Sequence, residues 1–144
     1  MVQRILVCDE ETHIVRAISL KFTRAGFDVS GASSVDACWK LFQRFESASM
    51  LIIDYDLLTS DMGTELITRV HQELGLTRLP VIALAGKAID QNDQQQLLGL
   101  LSVGRVFSKP FSPRELLANV VGLLEREPTE ARLGPHLSAS MRVV

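Results

Sequence analysis

The stretch ILVCDEE, residues 5–11, decides the fold, because four consecutive apolar residues lead directly into three acidic ones. A short apolar run without polar alternation is typical of a strand that is covered on both faces, as in a parallel sheet. In open parallel sheets, ligands bind beyond the carboxyl ends of the strands. The stretch therefore predicts a buried strand that delivers carboxylates to a ligand site.

Four further segments predict strands. Residues 50–53 (MLII) and 81–85 (VIALA) are apolar throughout, residues 103–107 form a weaker, interrupted run, and residues 27–30 (FDVS) alternate like an edge strand. Segments of helical periodicity separate the strands, so strand and helix alternate five times. With right-handed crossovers, this order predicts an α/β fold, a doubly wound five-stranded parallel sheet with helices on both faces.

Caps and stops place the helix ends. The predicted helices run from Thr12 to Ala25 before Gly26, from Ser33 or Ser34 as cap, over Glu65 to Leu74 before Gly75, within Asp90 to Leu101, and from the Ser112-Pro113 pair onward.

The composition is that of one globular domain. The chain has 144 residues, 47% hydrophobic and 22% charged, with a net charge of −2. This balance gives no general attraction to nucleic acid or anionic membranes, and no apolar segment approaches the roughly 20 residues of a membrane span. No signal peptide precedes the first strand, so we expect a cytoplasmic protein. We expect residues 1–127 to form the domain and residues 128–144 to form a flexible tail.

Charged residues follow three predicted strands at the same edge of the sheet. Asp9 and Glu10 come after the first strand, Asp54 after the third and Lys109 after the fifth. Clustered carboxylates repel each other unless a cation or proton lies between them, and Mg²⁺ prefers such oxygen ligands. A carboxylate beside Mg²⁺ and a lysine is also well placed to receive a phosphoryl group, because both cations stabilise charge on the phosphoryl oxygens.

Four motifs occur together in this chain: residues 5–11 (ILVCDEE), 51–54 (LIID), 79–84 (LPVIAL) and 109–111 (KPF). In this combination the chain resembles the receiver (CheY-like) domains of bacterial two-component response regulators. The resemblance covers most of the sequence and implies the flavodoxin-like strand order 2-1-3-4-5.

The resemblance also implies roles for individual residues. Asp54 is expected to be the phosphoacceptor, and Lys109 to contact the phosphoryl group. Mg²⁺ is expected to be held, directly or through water, by Asp9, Glu10, Asp54 and the main-chain carbonyl of Asp56. The Lys109–Pro110 peptide bond is expected to be cis. Such a domain is not an enzyme, apart from its own phosphorylation and dephosphorylation at Asp54.

Two switch positions depart from the family pattern. Receivers usually carry Thr or Ser at the position of Ala85, where the hydroxyl is drawn to the phosphoryl oxygen, and an aromatic residue at the position of Val106. Phe107 is adjacent, but alternation should turn it to the opposite face of the sheet. Ser108 carries a hydroxyl, but we expect alternation to exclude it as a substitute. The switch is therefore expected to be atypical, for example through the loop of Gly86 and Lys87.

Two functions stay open on the sequence alone. The first is a stand-alone receiver that accepts a phosphoryl group from a sensor histidine kinase or phosphotransfer protein. The second is a phosphorylation-independent pseudo-receiver that acts as a docking module. A nucleotide-binding enzyme of this fold is disfavoured because no glycine-rich phosphate loop is present.

The expected partners are proteins. No helix-turn-helix is recognisable in the 144 residues, so we expect no direct contact with nucleic acid, and none with a membrane. Output is expected through a downstream protein target or a homodimer, at the face of the fourth helix, fifth strand and fifth helix.

Overall fold

Five parallel strands form the sheet, as their apolar runs predict. The computed structural model describes residues 2–45, 47–86, 89–100 and 103–126. The strands are β1 (Arg4–Cys8), β2 (Asp28–Ala32), β3 (Met50–Asp54), β4 (Val81–Ala85) and β5 (Val103–Ser108). They lie in the order β2-β1-β3-β4-β5, and every neighbouring pair is parallel. The predicted doubly wound fold with strand order 2-1-3-4-5 is confirmed.

The helices follow the predicted order with one addition. They are α1 (Thr12–Arg24), α2 (Val35–Arg44), α3 (Tyr55–Leu58), α4 (Asp61–Glu73), α5 (Gln91–Leu100) and α6 (Pro113–Arg126). The single turn α3 was not predicted, so the fourth and fifth predicted helices are α5 and α6. The third predicted helix, α4, already begins at Asp61, because Ser60 caps it by accepting a hydrogen bond from the amide of Gly63 at 3.1 Å.

The predicted caps and stops are present at the helix ends. Ser34 accepts a hydrogen bond from the amide of Ala37 at 3.1 Å, and Ser112 accepts one from the amide of Glu115 at 3.3 Å. Gly26 (φ 98°) and Gly75 (φ 70°) follow α1 and α4 in the left-handed region, which glycine enters without the steric penalty of a Cβ.

Each face of the sheet carries one layer of helices. α1 packs against α6 on one face, and α2 packs against α4 on the other. Every residue of β3 and β4 is buried, whereas the edge strand β2 is only partly covered. Successive strand residues point to opposite faces of the sheet: Ile52 packs with the α1–α6 layer and Ile53 with the α2–α4 layer. The same alternation sets the face on which each side chain at the carboxyl edge lies.

Two expectations fall outside the described residues: the C-terminal tail 128–144 and Lys87 in the loop after β4. Among the helices that are described, none combines the length and the apolar character that crossing a membrane requires.

Gly63 is required where α3 meets α4, which leads to a stability prediction. A Cβ at this position would collide with the main-chain carbonyl oxygens of Leu57 and Leu58, and backbone atoms cannot move aside cheaply. We expect Gly63→Ala to lower the free energy of unfolding by about 1–3 kcal/mol, measured by urea denaturation.

Gly122 in α6 is the matched control, because a Cβ there meets nothing within 4 Å. Gly122→Ala should raise the free energy of unfolding by about 0.5–1 kcal/mol, since alanine loses less backbone entropy in a helix. Equal effects of the two substitutions would contradict the tight contact at Gly63.

Candidate functional site

The carboxyl edge of the sheet brings three of the predicted site residues into contact. Asp9 follows β1, Asp54 ends β3, and Lys109 follows β5. The Nζ atom of Lys109 lies 2.8 Å from Oδ1 of Asp54 and 2.9 Å from Oδ2 of Asp9. The side chains of Lys109 and Asp54 are each 11% exposed, and that of Asp9 is 1% exposed. One ammonium group thus lies between two buried carboxylates from neighbouring strands.

A third carboxylate, that of Glu11, completes the surroundings of the ammonium. Its Oε2 atom lies 2.7 Å from Nζ of Lys109. Burial alone would lower the pKa of Lys109, but the ionic contacts with Asp54, Glu11 and Asp9 outweigh it, so the pKa lies well above its ordinary value. Lys109 therefore stays charged throughout the physiological range of pH.

Backbone amides hold the other oxygens of the two buried carboxylates. Oδ1 of Asp9 accepts a hydrogen bond from the amide of Glu11 at 2.9 Å. Oδ2 of Asp54 accepts one from the amide of Leu57 at 3.2 Å, so Asp54 caps the turn α3. Each carboxylate is thus held by a backbone amide two or three residues later in the chain, and this bond fixes its orientation.

The donor set fits Mg²⁺ at one particular atom. Oδ2 of Asp9 is buried and accepts no hydrogen bond from the described residues. Its 2.9 Å contact with Lys109 is an ion pair. No three His, Cys, Asp or Glu side chains in the described residues are arranged as a metal cage. Mg²⁺ keeps several waters and uses one or two carboxylates, and Oδ2 of Asp9, which accepts no hydrogen bond among the described residues, offers it such a ligand.

The two other predicted metal ligands lie at the rim. The side chain of Glu10 is exposed beside Asp9. Asp56 is exposed within α3, and the backbone hydrogen bonds that close this turn are accepted by Tyr55 and Leu57 rather than by Asp56. The main-chain carbonyl of Asp56 is therefore not engaged by these bonds.

The predicted switch positions lie at the end of the neighbouring strand pair. Ala85 ends β4 and is 1% exposed, and its carbonyl accepts a hydrogen bond from the amide of Lys109 at 2.7 Å. Val106 packs with the α2–α4 layer and Phe107 with the α1–α6 layer. The predicted opposite orientation of these two residues is confirmed, as is the cis Lys109–Pro110 bond.

The expectation that alternation excludes Ser108 is wrong. Ser108 pairs with Ala85 in the register of β4 and β5, as Val106 pairs with Ala83. Because alternation returns to the same face after two residues, Ser108 lies on the face of Val106 and Ala85. Its side chain is exposed, so a hydroxyl group is available directly beside the position that lacks one.

Glu11 is the site residue that the sequence interpretation did not select. It is the third acidic residue after β1, and the family pattern directs attention to the first two. As the N-cap residue of α1 it forms no side-chain capping bond, so its carboxylate is free to reach Lys109. The signal in the sequence was its position directly before a helix that starts at the carboxyl edge.

Comparison with known proteins agrees with this geometry. The chain matches the response regulator receiver domain family over residues 5–121. The chain belongs to this family.

Proteins similar in sequence include two bacterial regulators. The alkaline phosphatase synthesis transcriptional regulatory protein PhoP of Bacillus subtilis is 32% identical over 127 residues, covering 88% of this chain and 50% of that protein. The transcriptional regulatory protein GltR of Pseudomonas aeruginosa is 32% identical over 136 residues, covering 93% of this chain and 54% of that protein. The receiver chain thus spans about half the length of these relatives.

Solved structures share the fold. A CheY-like receiver domain protein from Methanospirillum hungatei superposes with a TM-score of 0.71 at 24% identity, covering 90% of this chain and 98% of that one. The chemotaxis response regulator CheY4 of Vibrio cholerae superposes with a TM-score of 0.73 at 19% identity, covering 86% of this chain and 100% of that one.

The central ammonium of the receiver leads to a second stability prediction. Lys109→Met leaves two buried carboxylates without a compensating charge, so we expect the free energy of unfolding in a Mg²⁺-free buffer to fall by about 3 kcal/mol. Added Mg²⁺ should restore part of the loss, because it neutralises the same carboxylates.

Lys40 provides the control, since it forms an exposed ion pair with Asp36 within α2. Lys40→Met should change the free energy of unfolding by no more than about 0.5 kcal/mol. If Lys109→Met were equally mild, Lys109 would not be what balances the buried charge.

Proposed function

We propose that this receiver domain accepts a phosphoryl group on Asp54 in a Mg²⁺-dependent reaction, in the cytoplasm. The observation that carries the proposal is the position of the Lys109 ammonium, which lies 2.8 Å from Asp54 Oδ1 and 2.9 Å from Asp9 Oδ2. A fixed positive charge beside a buried carboxylate stabilises the negative charge that a transferred phosphoryl group brings.

The proposed donor is the phosphohistidine of a sensor histidine kinase or of a phosphotransfer protein. A carboxylate oxygen of Asp54 attacks the phosphorus atom, and the new O–P bond forms as the N–P bond of the donor breaks. The electron pair of the broken N–P bond stays on the imidazole nitrogen of the donor. Lys109 neutralises charge on the phosphoryl oxygens. Mg²⁺, when bound by Asp9, Glu10, Asp54 and the carbonyl of Asp56, supplies further positive charge at those oxygens.

Intact mass spectrometry tests the acceptor. The protein incubated with Mg²⁺ and a small phosphodonor such as acetyl phosphate should gain one phosphoryl adduct, which requires the carboxylate of Asp54. Asp54→Asn keeps the size of the side chain and removes the nucleophilic charge, so the adduct should disappear. An adduct of equal yield in this variant would place the acceptor elsewhere.

We further propose that the phosphorylated state reaches the output face by an atypical switch. The side chain at the usual hydroxyl position is the buried methyl group of Ala85, and the usual aromatic position holds Val106. Among the described residues at this edge, the candidates for this task are the exposed hydroxyl of Ser108, which pairs with Ala85 on the same face, and Gly86, where the following loop begins.

Restoring a hydroxyl at position 85 tests the switch. Ala85→Thr and Ala85→Val add side chains of the same shape, and only threonine adds the hydroxyl. On binding of beryllofluoride with Mg²⁺, we expect NMR shift changes to extend to the face of α5, β5 and α6 more strongly in the threonine variant. Identical shift patterns in both variants would show that the missing hydroxyl is not what makes the switch atypical.

The second candidate function is a phosphorylation-independent pseudo-receiver, which the buried methyl group of Ala85 favours. The two candidates share their proposed partners: a downstream protein target, or a second copy of the chain, at the face of α5, β5 and α6. The described part of this face includes a polar hollow lined by Arg105, Asn119 and Glu125 together with Ala118 and Gly122. Target binding that survives Asp54→Asn unchanged would support the pseudo-receiver. The stand-alone character of the protein stays a prediction.

A further inference from the structure

The contact between Glu11 and Lys109 differs in kind from the two other contacts of the ammonium. It is the shortest, at 2.7 Å, yet the side chain of Glu11 is 51% exposed. The side chains of Asp9 and Asp54 are only 1% and 11% exposed. Their second oxygens are held by the amides of Glu11 and Leu57. On the outer side of Glu11, the exposed His13 lies 3.9 Å away.

The Lys109 ammonium donates hydrogen bonds to Glu11 and Asp54, and it lies 2.9 Å from Asp9 as an ion pair. A phosphoryl oxygen that binds Lys109 therefore competes with the carboxylates that already surround the ammonium. Asp54 carries the phosphoryl group itself, and the side chain of Asp9 is only 1% exposed, so water alone does not replace the ammonium there. Glu11 is half-exposed, so water can solvate its carboxylate once the contact breaks.

We propose that Glu11 is a positioning residue that holds the Lys109 ammonium before phosphorylation and competes with the phosphoryl group for it. The inference rests on the proposed function of Asp54 as phosphoacceptor. Glu11 keeps the long lysine side chain at the mouth of the pocket, and the phosphoryl group takes over one N–H bond when it arrives. Part of the binding free energy of the phosphoryl group is then spent on breaking the Glu11 contact.

Two variants separate the contact from the charge. Glu11→Gln removes the charge of the carboxylate, whereas Glu11→Asp keeps the charge on a side chain one methylene shorter, so we expect the 2.7 Å contact with Lys109 to be lost. Glu65→Gln is the control, because it removes an exposed carboxylate of α4 that lines a different hollow, with Asp36 and Arg69.

The measurement is the affinity for beryllofluoride, a phosphoryl analogue, at saturating Mg²⁺ by calorimetry. We expect both Glu11 variants to bind roughly two- to fivefold more tightly than the wild type, the size of a lost exposed ion pair, and Glu65→Gln to be unchanged. A second readout needs no metal: in Mg²⁺-free protein the NMR resonance of the Lys109 ε-methylene group should move in both Glu11 variants.

The alternative outcomes are distinct. If only Glu11→Gln binds more tightly, the effect comes from long-range charge and the positioning role is wrong. If both variants bind equally or more weakly than the wild type, Glu11 does not compete for Lys109. If the wild-type protein binds no beryllofluoride, the proposed function fails and the competition with it; binding by the wild type with unchanged variants removes the role of Glu11 alone.

Discussion

The ammonium of Lys109 is the charge on which the carboxyl edge of the sheet depends. Parallel pairing brings the ends of β1 and β3 side by side; Asp9 directly follows β1 and Asp54 ends β3, and both carboxylates are buried. Two such carboxylates at neighbouring strand ends repel each other in a site with little water. The long side chain of Lys109 crosses from β5 to reach both, so the three strands share one electrostatic centre.

The fold was predictable because burial and chain order act together. Apolar runs such as residues 81–85 identify strands that are covered on both faces, and their alternation with helices leaves few topologies. Asp54 and Lys109 were identified from their positions directly after such runs, and the structure brings them into contact. Their chemical roles came from the family resemblance.

The features that the sequence did not reveal depend on side-chain direction rather than on pattern. The turn α3 has only four residues, too few for a periodic signal, and its cap is Asp54, whose orientation is set by Lys109 as well. The carboxylate of Glu11 can join the site because it forms no capping hydrogen bond with α1. The amino-acid sequence does not show which of these two contacts the side chain makes. Ser108 was misplaced although alternation within β5 already returns it to the face of Val106; only its pairing with Ala85 requires the register between β4 and β5.

The partners of Lys109 differ in depth, from the 1% exposed side chain of Asp9 to the 51% exposed side chain of Glu11. At the ionic strength of a cell, dissolved ions screen exposed charges with a screening length of about 8 Å, and they screen buried pairs much less. Rising ionic strength therefore weakens the outer contact of the ammonium first and leaves the inner two nearly intact. Screening by dissolved salt therefore acts on the pocket mainly at its rim, while the charge beside Asp54 stays in place.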